Sequence, residues 1–193
     1  MTEVPQKKFE IIVIGASQGG FVALKAVLGP LPADFPIPIL VVRHQVSGTD
    51  NYIIEALSKD CPLKIKFAEN NDRIKPSTVY IAPPDRHLLV GNKDYVEISS
   101  DKPVNFSRPS IDSLFKSAAK CYGPSVLAVI MTGANNDGTA GVIEIKKRGG
   151  TVIVQDPDSA ESDTMPKSAL AAIEADYLVW GNQIGPKLWE LTR

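Results

Sequence analysis

The sequence is poor in the residue types that mark several specialised protein classes. Its only two cysteines, Cys61 and Cys121, lie far apart and lack the close spacing of a metal-binding pair. A disulfide scaffold is therefore excluded, and two free thiols in a reducing compartment are expected. No apolar run approaches the roughly 20 residues of a membrane-spanning helix, and the polar N-terminus does not resemble a signal peptide. These absences predict a cytoplasmic protein.

An excess of charge of one sign is also missing. The chain carries 21 basic and 22 acidic side chains, which gives a formal net charge of −1. General binders of nucleic acid or of membrane surfaces need a surplus of positive charge, so neither class is expected. What is present is a globular composition: 193 residues, 44% of them hydrophobic, predict one domain over residues 1–193 with a substantial core.

Short apolar segments alternate with helix-like segments along most of the chain. Strands buried on both faces, as in a parallel sheet, are predicted at residues 9–14, 37–42, 126–131 and 151–155. Helices are predicted at residues 20–28, 49–58, 110–121 and 141–148. A further strand is predicted at 78–82, and a β-hairpin at 87–90 and 95–98 with a four-residue loop. The expected fold is α/β, a doubly wound, mostly parallel sheet in a three-layer sandwich with a small antiparallel hairpin insertion.

A glycine-rich segment follows the first predicted strand. Residues 15–20 read Gly-Ala-Ser-Gln-Gly-Gly, and a helix follows. The G-x-S-x-G spacing is typical of a nucleophile elbow, a tight turn that lifts Ser17 above the sheet with a backbone N–H facing a developing oxyanion. A phosphate cradle at the helix N-terminus and a plain capped turn fit these six residues equally well.

The chain has only two histidines. His44 follows the second predicted strand, so we expect it at the same sheet edge as Ser17, where an imidazole can take the proton of a serine. His87 lies beside the predicted hairpin, where a surface or turn-stabilising role is expected. Arg43 stands where an NAD-binding domain carries an acidic residue. Because arginine can accept a 2′-phosphate, an NADP-binding oxidoreductase stays an alternative, although no hydride-transfer signature is present.

Asp137 lies in the loop after the strand predicted at 126–131. It is interpreted either as an ordinary helix cap or as a buried carboxylate that orients His44. In the second case three loops at the carboxyl edge of the sheet carry Ser17, His44 and Asp137. Their chain order differs from that of the α/β-hydrolases, so this would be a separate arrangement of the same groups.

Several spaced motifs between about residues 10 and 174 resemble the catalytic domain of the chemotaxis protein-glutamate methylesterases. The resemblance implies that Ser17 is the nucleophile, His44 the general base and acid, and Asp137 the orienting carboxylate. It further implies hydrolysis of glutamate γ-methyl esters on the cytoplasmic helices of chemoreceptors through an acyl-enzyme, with no cofactor or metal, and in some members deamidation of receptor glutamines. The motifs are Ile14-Gly15-Ala16-Ser17-x-Gly19-Gly20, the His44 strand end, Tyr80-Ile81-Ala82-Pro83-x-Asp85-x-His87, Arg108-Pro109-Ser110-Ile111-Asp112-x-Leu114-Phe115, Thr132-Gly133-x-x-x-Asp137-Gly138-x-x-Gly141 and Met165-Pro166.

The sequence departs from the family pattern around the predicted site. Gln18 replaces a usual threonine, Arg43 a usual glutamine, and Ala134 and Asn135 a usual Met-Gly pair. The backbone N–H groups of Gln18 and Ala134 are expected to line an oxyanion hole, because main-chain donors survive side-chain exchange. Asn135 would distort its loop if that position needs a positive φ, although asparagine tolerates such a backbone better than most residues.

Two further expectations concern partners and regulation. Arg43 and Arg108 are candidate docking groups for an acidic receptor surface. Relatives typically carry an N-terminal receiver domain, but the first strand here is predicted to begin at residue 9, so we expect a stand-alone catalytic domain. A catalytically silent adaptor of a chemosensory complex is the second functional hypothesis.

Overall fold

A parallel β-sheet runs through the centre of the molecule. The computed structural model describes residues 9–44 and 50–193. The strands in this part of the chain are β1 (Ile11–Ala16), β2 (Ile39–Arg43), β3 (Lys64–Phe67), β4 (Thr78–Ile81), β5 (His87–Asn92), β6 (Tyr95–Ser99), β7 (Val126–Ile130), β8 (Thr151–Gln155) and β9 (Tyr177–Val179). The helices are α1 (Gly20–Leu28), α2 (Asp50–Ser58), α3 (Ile111–Tyr122), α4 (Thr139–Lys147), α5 (Thr164–Ala172) and α6 (Ile184–Thr192).

Seven strands form the central sheet in the order β3-β4-β2-β1-β7-β8-β9, and every neighbouring pair is parallel. The chain winds outward from β1 in both directions, so β1 lies between β2 on one side and β7 on the other. The ligand crevice of such a sheet lies at its carboxyl edge, where the winding direction changes. The doubly wound, three-layer fold predicted from the sequence is confirmed.

Two hydrophobic cores lie on opposite faces of the sheet. In β1, Ile11 and Val13 pack with residues of α3, α4 and α5, whereas Ile12 and Ile14 pack with residues of α1, α2 and α6. Side chains alternate between the faces of a strand, and here both faces are covered. This is why β1 is apolar throughout rather than alternately polar.

The insertion predicted near residues 85–100 is a two-stranded antiparallel sheet, β5 and β6, which packs on α3. Its loop is shorter than the predicted four residues. The strands extend until Asn92 pairs with Tyr95, with an irregularity between Val90 and Asn92, and Asp94 in the turn has a φ of 79°. Asparagine and aspartate tolerate such a backbone, which permits the tighter turn.

The remaining differences concern short or late elements. The edge strands β3 and β9, of four and three residues, were not predicted, nor were α5 and α6. Helix α4 begins at Thr139, two residues before its predicted start. The predicted start of the second helix at residue 49 lies outside the described residues, and α2 covers Asp50–Ser58.

The two cysteines do not form a disulfide bond. Cys61 and Cys121 are both free, and burial raises the pKa of each thiol. In residues 9–44 and 50–193, no helix is long and apolar enough to cross a membrane.

Candidate active site

Ser17 opens a tight turn between β1 and α1. The backbone N–H of Gly20 donates to the carbonyl oxygen of Ser17 over 2.8 Å, and Gly19 has φ 75° and ψ −6°. These are the features of a type II turn, whose third position favours glycine. A Cβ on Gly19 would also lie 2.7 Å from the Cβ of Glu161. The last glycine of the G-x-S-x-G pattern is therefore required by both conformation and space.

The loop after β7 approaches Ser17 closely at a second glycine. The N–H of Ser17 donates to the carbonyl oxygen of Thr132 over 2.9 Å. A Cβ on Gly133 would lie 2.9 Å from the Cβ of Ser17 and 2.5 Å from the Cε of Met165. Only a residue without a side chain fits here with the neighbours as they stand.

The structure brings Ser17, His44 and Asp137 together from three loops at the carboxyl edge of the sheet. The Nδ1 of His44 lies 3.2 Å from the Oγ of Ser17, and its Nε2 lies 2.8 Å from Oδ2 of Asp137. The first two loops are adjacent because β1 pairs with β2, and the third adjoins them because β1 also pairs with β7.

Asp137 is 1% exposed and accepts hydrogen bonds on both oxygens. Besides His44, Oδ2 accepts from the N–H of Ile111 over 2.7 Å, and Oδ1 accepts from the N–H of Asp112 over 3.0 Å and from the Oγ of Ser110 over 3.1 Å. Burial by itself raises the pKa of this carboxyl, but the hydrogen bonds from His44, Asp112 and Ile111 outweigh it and lower the pKa.

The ionised state of Asp137 fixes the tautomer of His44. A carboxylate only accepts hydrogen bonds, so the Nε2 of His44 carries the proton that it donates to Asp137. The lone pair of the imidazole is then on Nδ1, which faces the hydroxyl of Ser17. The ring is therefore oriented to accept the serine proton.

Asn135 also faces the lone pair of His44. The Oδ1 of Asn135 accepts the backbone N–H of Asp137 over 3.1 Å, which directs its Nδ2 towards Nδ1 of His44 at 3.3 Å. The backbone φ of Asn135 is not positive. The loop consequently does not need a glycine at this position. Ser17 and Asn135 share one acceptor.

Asp112 was not predicted to contribute to the site. It is 1% exposed, and its Oδ1 accepts the N–H groups of Gly138 and Gly141 over 3.0 and 2.7 Å at the start of α4. Burial, and next to it the nearby charge of Asp137, raise the pKa of this carboxyl. Two signals in the sequence point to Asp112: its position in the first turn of α3, behind the N-cap Ser110, and its place in the family motif of residues 108–115.

His87 does not lie at the surface. It is 2% exposed, its Nδ1 accepts the N–H of Ser110 over 3.2 Å, and its Nε2 donates to the carbonyl oxygen of Lys102 over 3.2 Å. The surface role is therefore wrong, and a stabilising role for the segment before α3 is what the structure shows.

The backbone donors predicted for an oxyanion hole lie in the turn after β1 and the loop after β7. Within residues 9–44 and 50–193, the N–H groups of Gln18 and Ala134 donate to no protein acceptor. The carbonyl group of Gln18 is held by the hydroxyl of Thr132 over 2.8 Å. Their role in oxyanion binding stays a prediction.

Ser17 and His44 line two open depressions. The larger, of about 520 Å³, is also lined by Arg43, Val22 and Glu161. The smaller, of about 250 Å³, is lined by residues 106–109 and Asn135. Both depressions give the predicted nucleophile access to a ligand. In the described part of the chain, no three His, Cys, Asp or Glu side chains are grouped to hold a metal ion.

The two arginines predicted to dock a receptor differ in their surroundings. Arg43 lines the larger depression. The guanidinium of Arg108 bonds to Oδ1 of Asp85 through Nε and Nη2 over 2.9 and 2.7 Å, and to the carbonyl oxygens of Ser100 and Asp101 through Nη1 over 3.2 and 3.1 Å. The structure thus gives Arg108 a role in holding its own loop, and its docking role stays a prediction.

Known proteins match this chain over nearly its whole length. The family model described as CheB methylesterase matches residues 12–188. The chain belongs to the CheB methylesterase family. A relative from Leptospira interrogans is 46% identical over 171 residues, which are 89% of each chain. A Myxococcus xanthus protein named protein-glutamate methylesterase/protein-glutamine glutaminase 4 is 41% identical over 88% of this chain and 48% of its own length.

A solved CheB methylesterase structure has the same fold. The crystal structure of the Thermotoga maritima CheB methylesterase catalytic domain superposes with a TM-score of 0.90 at 37% identity, covering 95% of this chain and 99% of that one. Membership of the CheB methylesterase family removes the support for the phosphate-cradle interpretation of the Ser17 turn, and with it the NADP-binding alternative.

Proposed function

We propose that this protein is a serine hydrolase that demethylates glutamate γ-methyl esters on chemoreceptors and releases methanol. The observation that carries the proposal is the continuous hydrogen-bonded chain from Ser17 through His44 to Asp137 at the edge of an open depression. Family membership supplies the substrate class, since relatives are named for methylesterase and glutaminase activity. Receptor glutamines are a second substrate of the same site, with ammonia as the leaving group.

The first half-reaction acylates the serine. The Oγ of Ser17 attacks the ester carbonyl carbon while its proton passes to Nδ1 of His44, and the resulting imidazolium is stabilised by the Asp137 carboxylate. The backbone N–H groups of Gln18 and Ala134 are the proposed donors to the negative oxygen. Collapse of the tetrahedral intermediate breaks the bond to the methoxy group, which takes the proton from His44 and leaves as methanol.

The second half-reaction regenerates the enzyme. A water molecule gives its proton to Nδ1 of His44 and attacks the acyl carbon. The bond between the acyl carbon and the Oγ of Ser17 then breaks, the Oγ takes the proton from His44, and the γ-carboxyl of a glutamate is released. No external cofactor takes part in either step. The substrate esters lie on the cytoplasmic helices of receptors, so we place the enzyme in the cytoplasm.

Methanol release from a methylated receptor tests the function. Ser17→Ala removes the nucleophile, and kcat should fall by roughly 10³-fold or more, the order seen when a member of a serine triad is removed. Ser58→Ala, at the exposed end of α2, is a matched control and should keep wild-type activity. A fluorophosphonate should label the wild type and spare Ser17→Ala. A wild-type protein that binds receptor, releases no methanol and resists labelling would instead be an adaptor.

A further inference from the structure

One aromatic side chain beside the candidate active site is fully exposed. Phe106 is 104% exposed, as open to solvent as in an extended peptide. It lies at the tip of a two-residue hairpin in which Val104 and Ser107 exchange backbone hydrogen bonds of 3.0 and 2.8 Å. A single exposed apolar side chain is ordinary on a protein surface, so the exposure of Phe106 counts only together with its backbone conformation and its place beside the site.

The backbone under this ring is also unfavourable for its residue type. Asn105 and Phe106 have φ values of 47° and 63°, so both central residues of the turn are left-handed, as in a type I′ turn. Asparagine suits the first of these positions, and glycine is the preferred residue at the second. For a bulky residue such as Phe106 a positive φ is an outlier. Exposure and backbone cost together indicate a residue kept for binding.

The hairpin is held firmly rather than left loose. The Nδ2 of Asn105 donates to Oδ2 of Asp112 over 3.3 Å, which ties the turn to the start of α3. On its other side, Arg108 bonds to Asp85 and to two carbonyl groups. The ring of Phe106 is therefore presented from an ordered support, which reduces the entropy lost when it is covered.

The position of the ring relates it to the reaction. Phe106 lines the smaller depression together with Ser17 and His44. Across the nucleophile, the larger depression has an exposed apolar side chain of its own, Val22, at 68% exposure. The charge of Arg108, next to Phe106, is already paired with Asp85. On the Phe106 side of the nucleophile the exposed group is therefore an apolar ring, whereas the charged side chains Arg43 and Glu161 line the larger depression.

We propose that Phe106 is a specificity-determining residue that packs against an apolar side chain of the polypeptide substrate, next to the modified glutamate. The inference rests on the proposed function. A methyl ester presents only one methyl group to the enzyme, so selection of a protein ester over other small esters requires contacts beyond the reacting group. Exposed aromatic rings on rigid supports are the usual anchors of protein interfaces.

Two variants separate the ring from the turn that carries it. Phe106→Gly removes the ring and gives the turn the residue that its backbone favours, so a misfolded loop cannot explain a loss. Phe106→Trp keeps an aromatic surface at the same place. Each is assayed with methylated receptor and with p-nitrophenyl acetate, a small ester that lacks a polypeptide. Tyr95→Ala, which removes an exposed ring that lines neither depression, is the matched control.

The quantity measured is the ratio of kcat/KM for receptor to kcat/KM for the small ester. Phe106→Gly should lower this ratio at least about tenfold, the order expected from losing the burial of one aromatic side chain, mainly through a higher KM for receptor. Phe106→Trp should restore most of it, and Tyr95→Ala should match the wild type. An unchanged ratio in Phe106→Gly would overturn the inference. A wild type that hydrolyses the small ester but releases no methanol from receptor would overturn the proposed function itself, and this inference with it.

Discussion

The carboxylates of Asp112 and Asp137 cap each other's helices: Asp137 caps α3, and Asp112 caps α4. Asp137 stands just before α4 and accepts the first N–H groups of α3, from Ile111 and Asp112. Asp112 lies in the first turn of α3 and accepts the N–H groups of Gly138, just before α4, and of Gly141, in the first turn of α4. The two helix N-termini are thereby locked together directly behind the carboxylate that holds His44.

Loss of the Asp112 carboxylate should therefore damage both stability and catalysis. Asp112→Ala leaves two buried N–H groups without an acceptor, and we expect the free energy of unfolding to fall by about 2–4 kcal/mol. Because the loop that carries Asp137 ends at the start of α4, which Asp112 holds, kcat should fall as well. Urea unfolding and esterase assays measure the two effects. Asp112→Asn, which keeps an acceptor oxygen, should lose less of both, and equal losses in the two variants would contradict the capping role.

The same two carboxyl groups predict pH effects of opposite sign. The pKa of Asp137 is lowered in the fold from its ordinary 3.8, so in acid the unfolded chain binds its proton more readily than the native one. The stability that Asp137 contributes is present above that ordinary value and is lost as the pH falls through the lowered pKa. The stability difference between wild type and Asp137→Asn should shrink in that acid range. A difference that stays constant from neutral pH into acid would contradict the shift.

Asp112 should behave in the opposite way. Its pKa is raised from an ordinary 3.8, so above that value the native state holds the proton that the unfolded state has lost. Stability then falls as the pH rises from the ordinary value through the raised pKa. Relative to Asp112→Asn, which does not titrate, the wild type should become less stable over this range. Urea midpoints measured at a series of pH values for both proteins test the sign.

The parts of the molecule that the sequence predicts correctly depend on local patterns. The buried central strands are recognisable as short apolar runs. Because the loops that follow parallel strands lie at one edge of the sheet, the sequence also predicts that Ser17, His44 and Asp137 lie together. The three residues of β9 are too few to show a period, and in β3 two lysines alternate with Ile65 and Phe67, so neither segment resembles the apolar runs of the central strands. These two lie at the edges of the sheet, where tertiary pairing rather than local pattern defines a strand.

Long-range contacts explain what the sequence does not reveal at the site. The bonds from Gly138 and Gly141 to Asp112 join residues 26 and 29 positions apart, and neither position predicts the other. The turn at Phe106 is hidden for another reason, since its sequence lacks the glycine that normally marks a positive φ.

Asn135 provides a fourth prediction, one in which a substitution raises activity. Its Nδ2 competes with the hydroxyl of Ser17 for the lone pair on Nδ1 of His44. Asn135→Ala removes the competing donor, and kcat for a small ester should rise about two- to tenfold, the equivalent of one ordinary hydrogen bond. The variant should also be slightly less stable, because the N–H of Asp137 loses its acceptor. The neighbouring Asn136→Ala is the control, and a fall in kcat specific to Asn135→Ala would show that its amide assists the base.

Gly133 supports a fifth prediction, on the position of the nucleophile. In Gly133→Ala the new Cβ meets both Met165 and Ser17, at 2.5 and 2.9 Å. The end of the Met165 side chain can move, whereas Ser17 can yield only by shifting its turn. We therefore expect a stability loss of about 1–3 kcal/mol from overpacking, accompanied by a loss of kcat of at least about tenfold. Adding Met165→Ala removes the first clash and leaves the second, so the double variant should keep the kcat defect, while the truncation of the fully buried Met165 itself costs stability. Recovery of kcat in the double variant would show that the Met165 contact alone caused the defect.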